Sequence, residues 1–351
     1  MKMKYFSHAL LIFFFIASSH TKQMVFTVWG QEEMDSPLIE EVLASPTMIR
    51  LKKIDQSGPP FYFGLTPAFS RYDHCVGVWA LLNRAHVSLE EQVAGLLHDA
   101  SHTAFSHLAD TLFGHDPVVH HCSYQDSIHE WFLEKMHVPA ITQKYGISLH
   151  KLNPDRKEYT ALERPLPHLC ADRIQYNIHT GVLFKKITVE EAQQIVNDLC
   201  FKNDQWFFKT EELAKKFASL PLYFTQTFWG SEYNHIFYQF FSQIVREAFN
   251  DKLFSKDDFH FGTDEEILEK IQQSSNSKIK MLLTKCADIY ANFVVVPYGQ
   301  GIYNHKPKFS GINPLVLTKH GLQSLREINI EFNQEFEKVQ NWCKDGYGIR
   351  Y

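Results

Sequence analysis

No two of the six cysteines form a C-x-x-C pair, which removes the usual thiolate zinc sites. Buried thiols acting as small apolar side chains are the simpler reading, and oxidation of some in an exported chain stays open. An excess of basic charge is also missing. The net charge is -5 and the Lys and Arg residues are scattered, so no broad field invites nucleic acid. No apolar run is long enough to span a bilayer comfortably, and no clear membrane surface stands out. After residue 23 there is no internal repeat and no low-complexity segment. What remains has an ordinary globular composition, 44% hydrophobic and 21% charged over 351 residues. Phe alone numbers 29, ample core material, and 19 histidines exceed what solubility needs.

The first 23 residues stand apart. Lys2 and Lys4 precede an apolar run from Ala9 to Ala17, and small residues (Ala17, Ser18, Ser19) follow. This is the layout of a secretory signal peptide. The alternatives are a buried first helix, or Met24 as the true start. The expected organisation is a signal segment over 1–23, a helical core over 24–290 and a mixed α/β portion over 291–351. Location follows from the first segment: periplasmic or secreted if it is a signal, cytoplasmic otherwise.

Most of the chain reads as helix. "SPLIEEVLASPTMIRLKKI" opens with Ser36 as N-cap and Pro37 at the first helical position. "SLEEQVAGLLHDASH" has Ser88 three residues before Glu91, a capping box, and an apolar face of Val93, Leu96 and Leu97. "CFKNDQWFFKT" reads as a hairpin about Asn203-Asp204. Beyond Asn292, Gly and Pro punctuate short extended runs, and "SLREINIEFNQEFEKVQNW" reads as a strand passing into a final helix. The fold class is mainly α with a small β-containing C-terminal portion.

Within "LLHDASHTAF", His98, Asp99 and His102 lie in an apolar frame, a costly setting unless something pairs with them. Imidazole and carboxylate are the usual ligands of divalent Fe, Mn, Zn and similar ions. One helical turn cannot complete such a site. His74 in "SRYDHCVGVWALL" and Asp172 in "LCADRIQYNIHTG" are similarly framed, and together the four make two imidazoles and two carboxylates.

The order H…HD…D resembles the signature of HD-domain metal-dependent phosphohydrolases. "MIRLKKIDQSG", "FSRYDHCVGVWALL", "LLHDASHTAFSHLAD" and "VFTVWGQEEMDSPLIEEVLASP" are similar to segments of the deoxynucleoside triphosphate triphosphohydrolase branch, which includes sterile-alpha-motif/HD proteins. The similarity is fainter in "DDFHFGTDEEILEKI" and "KPKFSGINPLVL". The resemblance implies an HD-domain helical fold and a divalent metal (Fe, Mn, Zn or Mg) held by His74, His98, Asp99 and Asp172. It implies His102 and Asp110 as the proton-handling pair, Arg71 and His107 on phosphate oxygens, Gln56 near the sugar or α-phosphate, and Tyr176 beside the sugar. Blander roles stay open: His107 as a helix cap, Arg71 as a surface charge, Asp110 in an ordinary ion pair.

The implied partner is a nucleotide or another phosphorylated small molecule, and a homo-oligomer is compatible with the sequence. Departures bear on specificity. Ser123 stands where the family has a catalytic histidine, with His120 and His121 just upstream. Thr180 replaces the acid that grips the sugar 3′-hydroxyl, and Ser57 replaces an apolar sugar contact. A non-catalytic metal- or nucleotide-binding protein is the rival from another class, and a phosphomonoesterase or cyclic phosphodiesterase on the same fold is a third reading. For the first segment, N-terminal sequencing of the native protein is expected to find trimming near residues 17–24. An intact Met1 would refute export.

Overall fold

The computed structural model describes residues 23–114, 123–291 and 293–351. Residues 1–22 of the expected signal segment lie outside the described residues, as do His120, His121 and Cys122. Among the described residues no helix is long and apolar enough to cross a membrane.

Serine caps set the helix starts. Ser36 and Ser45 each accept the N–H three residues on, and each precedes a proline. The segment that reads as one helix is therefore two, Pro37–Leu43 and Pro46–Leu51, because a proline suits a first helical turn and breaks an interior. Ser70 opens Arg71–Arg84 and Ser88 opens Leu89–Leu97, their hydroxyls accepting from Asp73 N at 3.1 Å and Glu91 N at 3.2 Å. The expected Ser88–Glu91 box is only half made. Glu91 is buried, and its carboxylate accepts instead from Ala161 N (2.9 Å) and Leu162 N (3.1 Å). It thereby holds the strand of loop that leads to the helix Ala171–Leu183. The helix expected to run through His102 ends at Leu97, with His98 as its C-cap.

The hairpin is present, Leu199–Lys202 against Gln205–Phe208. Asn203 and Asp204 both have positive φ, 52° and 58°, the pattern of a tight I′ turn. Its second strand pairs in parallel with Leu315–Thr318, Phe207 opposite Leu315, and Gly321–Ser324 completes a four-stranded sheet. A three-stranded antiparallel sheet has Tyr347–Arg350 in the middle, flanked by Val294–Pro297 and Tyr303–His305. Where "SLREINIEFNQEFEKVQNW" is expected to begin as a strand, Leu325–Ile328 is a helical turn, because Ser324 and Glu327 form a capping box there. The fold is mainly helical with small sheets mostly toward the C-terminus, as the sequence predicts.

Among the described residues the buried apolar side chains form two clusters. One contains Leu96, Leu97 and Ala100. The other contains Ala104, Phe105 and Leu108 with Phe237, Phe240 and Phe241 of the helix Glu232–Asn250. The chain passes from one to the other between Ala100 and Ala104, so the candidate site lies on the seam. The crossing is strained. Phe105 and Ser106 have φ of 63° and 56°, which costs about 1–3 kcal/mol per residue for side chains of this kind.

A polar clamp holds the strain. Buried Asp264 accepts from Phe105 N at 2.6 Å through one oxygen and from Asp55 N at 2.9 Å through the other. Ser106 donates its hydroxyl to Asp55 O at 2.6 Å. Gly58 (φ 66°) lies so close that a Cβ there would sit 2.7 Å from Phe105 O. Arg50 secures the other side, donating to the carbonyls of His102 (2.8 Å), His260 (2.9 Å) and Gly262 (2.9 Å). Burial drives Asp264 up to about 7, against the pull of the Phe105 and Asp55 amides.

A carboxyl raised on folding is protonated in the native chain while the unfolded chain has already lost its proton. Its stabilisation is full below the unfolded value and is lost as pH rises through the native one. Asp264→Asn keeps one accepting oxygen for two N–H donors and should cost about 1–3 kcal/mol in urea unfolding. The gap from wild type should be widest near pH 4 and should narrow by about pH 7.

Candidate metal centre

Three helix ends deliver the expected ligands to one point. His74 sits in the first turn of Arg71–Arg84, His98 and Asp99 follow Leu89–Leu97, and Asp172 is the second residue of Ala171–Leu183. His74 Nε2 lies 3.1 Å from His98 Nε2, 3.0 Å from Asp172 Oδ1 and 3.5 Å from Asp99 Oδ2. His98 Nε2 is 3.6 Å from both Asp99 Oδ1 and Asp172 Oδ1. Both imidazoles use their other nitrogen elsewhere. His98 Nδ1 donates to Gly95 O at 2.8 Å and His74 Nδ1 to Gln175 Oε1 at 2.5 Å. Each ring therefore turns its Nε2 to the centre, and the two Nε2 atoms face each other beside two carboxylates. That donor set fits a divalent cation, with outer hydrogen bonds fixing the ligand tautomers.

The electrostatics agree. Burial pushes Asp99 up, but Arg71, His98 and His102 hold it well below the usual carboxylate range. Burial likewise opposes ionisation of Asp172, and His74 and His98 override it. Burial lowers His98, but Asp99 and the bond to Asp172 carry it well above the usual histidine value. Glu163, Cys170 and Asp172 form an adjoining donor group, in which Arg173 faces Glu163 at 3.7 Å.

The other expected residues surround this centre. Arg71 is buried, pairs with Asp99 through Nη1 and donates from Nε to Ser106 Oγ at 2.7 Å. Its Nη2 has only a long 3.5 Å contact to Gln56 O. His102 Nε2 is 3.3 Å from Asp99 Oδ1, and its buried Nδ1 has no partner among the described residues. Gln56 Oε1 is likewise buried without a partner. Asp110 does not meet His102 directly. It lies 3.6 Å from His107 Nδ1, and the His107 ring stands edge-on to His102 at 4.9 Å. Asp110 also accepts from Tyr124 N at 2.6 Å.

His107 occupies a helix N-cap position but makes no side-chain cap bond. Tyr176 packs edge-on against Trp229 at 5.5 Å, 6.4 Å from the His74 ring. Ser123 is spent as a cap in a box with Asp126, and Thr180 is buried one turn beyond Tyr176. Sequence reasoning missed Gln175, Arg50, Glu91 and Ser106. Glu91 carried the one available signal, an acid on an otherwise apolar helix face.

No protein-family model matches the chain. It is 32% identical over 257 residues to the uncharacterized protein YdhJ of Bacillus subtilis, covering 73% of this chain and 77% of that one. It is 36% identical over 172 residues to the metal-dependent phosphohydrolase cns2 of Cordyceps militaris, covering 49% and 48% of the two chains. Similarity to the deoxynucleoside triphosphate triphosphohydrolase SAMHD1 of Bos taurus is narrower, 32% over 92 residues and 16% of that protein. The triphosphohydrolase resemblance is thus partial, and the broader phosphohydrolase one is the better supported. A phosphohydrolase structure from Bacteroides thetaiotaomicron shares the fold, with a TM-score of 0.62 at 15% identity over 88% of this chain and 94% of that one.

Asp99→Ala removes a ligand whose charge the cation compensates, and metal binding depends on such ligands being present and ionised. Elemental analysis of the purified variant should show a sharp loss of bound metal, with far-UV circular dichroism unchanged. Undiminished metal would exclude Asp99 from the centre.

Proposed function

We propose that the chain is an HD-type metal-dependent phosphohydrolase, as its likeness to cns2 supports, and that it hydrolyses a phosphate ester or anhydride of a nucleotide. The observation that carries the reading is the pair of Nε2 atoms of His74 and His98, facing each other beside Asp99 and Asp172. These four residues would hold the metal. When bound, a divalent ion supplies charge neutralisation at the phosphoryl group and lowers the pKa of water.

The protein's own groups do the rest. Arg71 is locked by Asp99 and Ser106, which leaves Nη2 for a phosphate oxygen in a fixed fork geometry. His102 directs Nε2–H at Asp99, so the unpartnered Nδ1 carries a lone pair. Burial and Arg71 press its pKa down to about 3, against the pull of Asp99, which keeps the ring neutral. A neutral ring with an open Nδ1 lone pair can accept a hydrogen bond from water and orient it, which is the share of proton handling assigned to it in this reading. His107, braced by Asp110, stands ready for a phosphate oxygen and for the outgoing proton. Gln56 Oε1 and Tyr176 face the rest of the substrate in this reading.

Discrimination of a single hydroxyl needs a buried partner that the wrong sugar leaves unpaired. Thr180 is short and uncharged, and the Ser57 backbone is engaged with Asp55 and Tyr238. Activity should therefore depend on the phosphate part and little on the sugar.

A screen of the protein with each candidate metal against mono-, di-, tri- and cyclic nucleotides tests the reading, and absence of any phosphate release would refute it. Ribo- and deoxyribonucleotides with the same phosphate chain should differ by less than roughly tenfold in kcat/KM, about 1.4 kcal/mol. His102→Ala should retain metal and lower kcat by about 10²-fold or more. An unchanged kcat would make His102 structural.

A further inference from the structure

Gln175 is fully buried in the helix Ala171–Leu183, one turn after Asp172, and its amide touches two histidines at once. Oε1 accepts from His74 Nδ1 at 2.5 Å, and Nε2 lies 3.1 Å from His179 Nδ1. A buried amide has no water to satisfy it, so each end must be paired within the protein. The two bonds are compatible in one arrangement of protons. Nε2–H donates to a lone pair on His179 Nδ1, and Oε1 therefore receives the Nδ1–H of His74. His74 is then left with its lone pair on Nε2, the atom that faces His98 and Asp172. Turning the amide over reverses every step. His74 would carry its proton on Nε2, where it would block a cation.

The surroundings keep the amide in place. Gly77 faces it from the helix Arg71–Arg84, and a Cβ there would lie 2.5 Å from Gln175 Nε2 and 2.6 Å from its Cγ. Any larger residue would drive the amide off His74. The His179 ring lies on Phe69 with centroids 3.8 Å apart, and Phe69 stands edge-on to the His74 ring at 6.1 Å. The His179 ring is thus held in place with its Nδ1 turned to the Gln175 amide.

We infer that Gln175 and His179 form a directed hydrogen-bond relay that selects the metal-binding tautomer of His74, with Gln175 as the positioning residue and Gly77 as the gap that admits it. The inference rests on the metal-centre reading above. Outer partners of this kind typically change metal affinity by about 10–100-fold.

The test is calorimetric titration of the metal-free full chain with Co2+, for wild type, Gln175→Leu, Gln175→Glu and His179→Phe. Thermal unfolding of each metal-free protein accompanies it. Gln175→Leu keeps the volume and removes the acceptor, and its Kd for Co2+ should rise about 10–100-fold. Gln175→Glu still accepts from His74 Nδ1 and should bind at least as tightly as wild type. His179→Phe keeps the stacked ring, frees the amide to turn, and should weaken binding by a smaller factor than Gln175→Leu.

A role in packing alone would lower the unfolding temperature of Gln175→Leu and leave its Kd unchanged, and that result overturns the inference. Should Gln175→Leu not fold, an unchanged Kd in His179→Phe, or weakened binding by Gln175→Glu, overturns it instead. Wild type that takes up no Co2+ overturns the metal centre itself, and the relay with it.

Discussion

Two imidazole nitrogens aimed at each other from 3.1 Å, with carboxylates on either side, repel unless something positive lies among them. Much of the local structure follows from that constraint. His74, His98, Asp99 and Arg71 are buried, where a low dielectric magnifies both repulsion and attraction. Arg71 offsets one of the two carboxylate charges. A divalent cation would turn this net negative cluster into a net positive one, and the same pocket would then attract a phosphate, as the proposed function requires. Structural need and chemical use are here one electrostatic fact.

The geometry is delivered by helix ends rather than helix faces. A ligand in a first turn or at a C-cap can point along the axis, and three such ends converge. The loop after Asp99 then changes cores within a few residues, at the cost of two left-handed non-glycine residues. Asp264, Asp55 and Arg50 act from distant parts of the chain to hold that loop. Strain of this kind persists where surrounding contacts over-determine it, and here it carries His102 and His107 to the same side of the centre.

Much of the site was legible in the sequence because its chemistry is local. His98 and Asp99 declare themselves by standing in an apolar frame, and His74 and Asp172 by similar frames. Serine caps before Pro37 and Leu89 were readable for the same reason. Partners that depend on tertiary approach were not. Gln175 looks like any helical glutamine until Gly77 is brought against it. Glu91 reads as half of a capping box, yet the unpaired N–H groups of Ala161 and Leu162 outbid its own helix. The break at Pro46 could have been predicted from proline alone, whereas Phe105 and Ser106 give no composition signal for their left-handed backbone.

The pairing of Gln205–Phe208 with Leu315–Thr318 joins segments far apart in sequence, and Tyr347–Arg350 forms the middle of the second sheet. Val294–Pro297 and Tyr303–His305 bond to that middle strand and not to each other. On the ribosome both must emerge and wait, their edges open, until residues 347–350 follow. Parallel and long-range pairing of this type is slow to form and exposed while it forms. The three-stranded sheet can therefore be completed only when residues 347–350 pair with both edges at once.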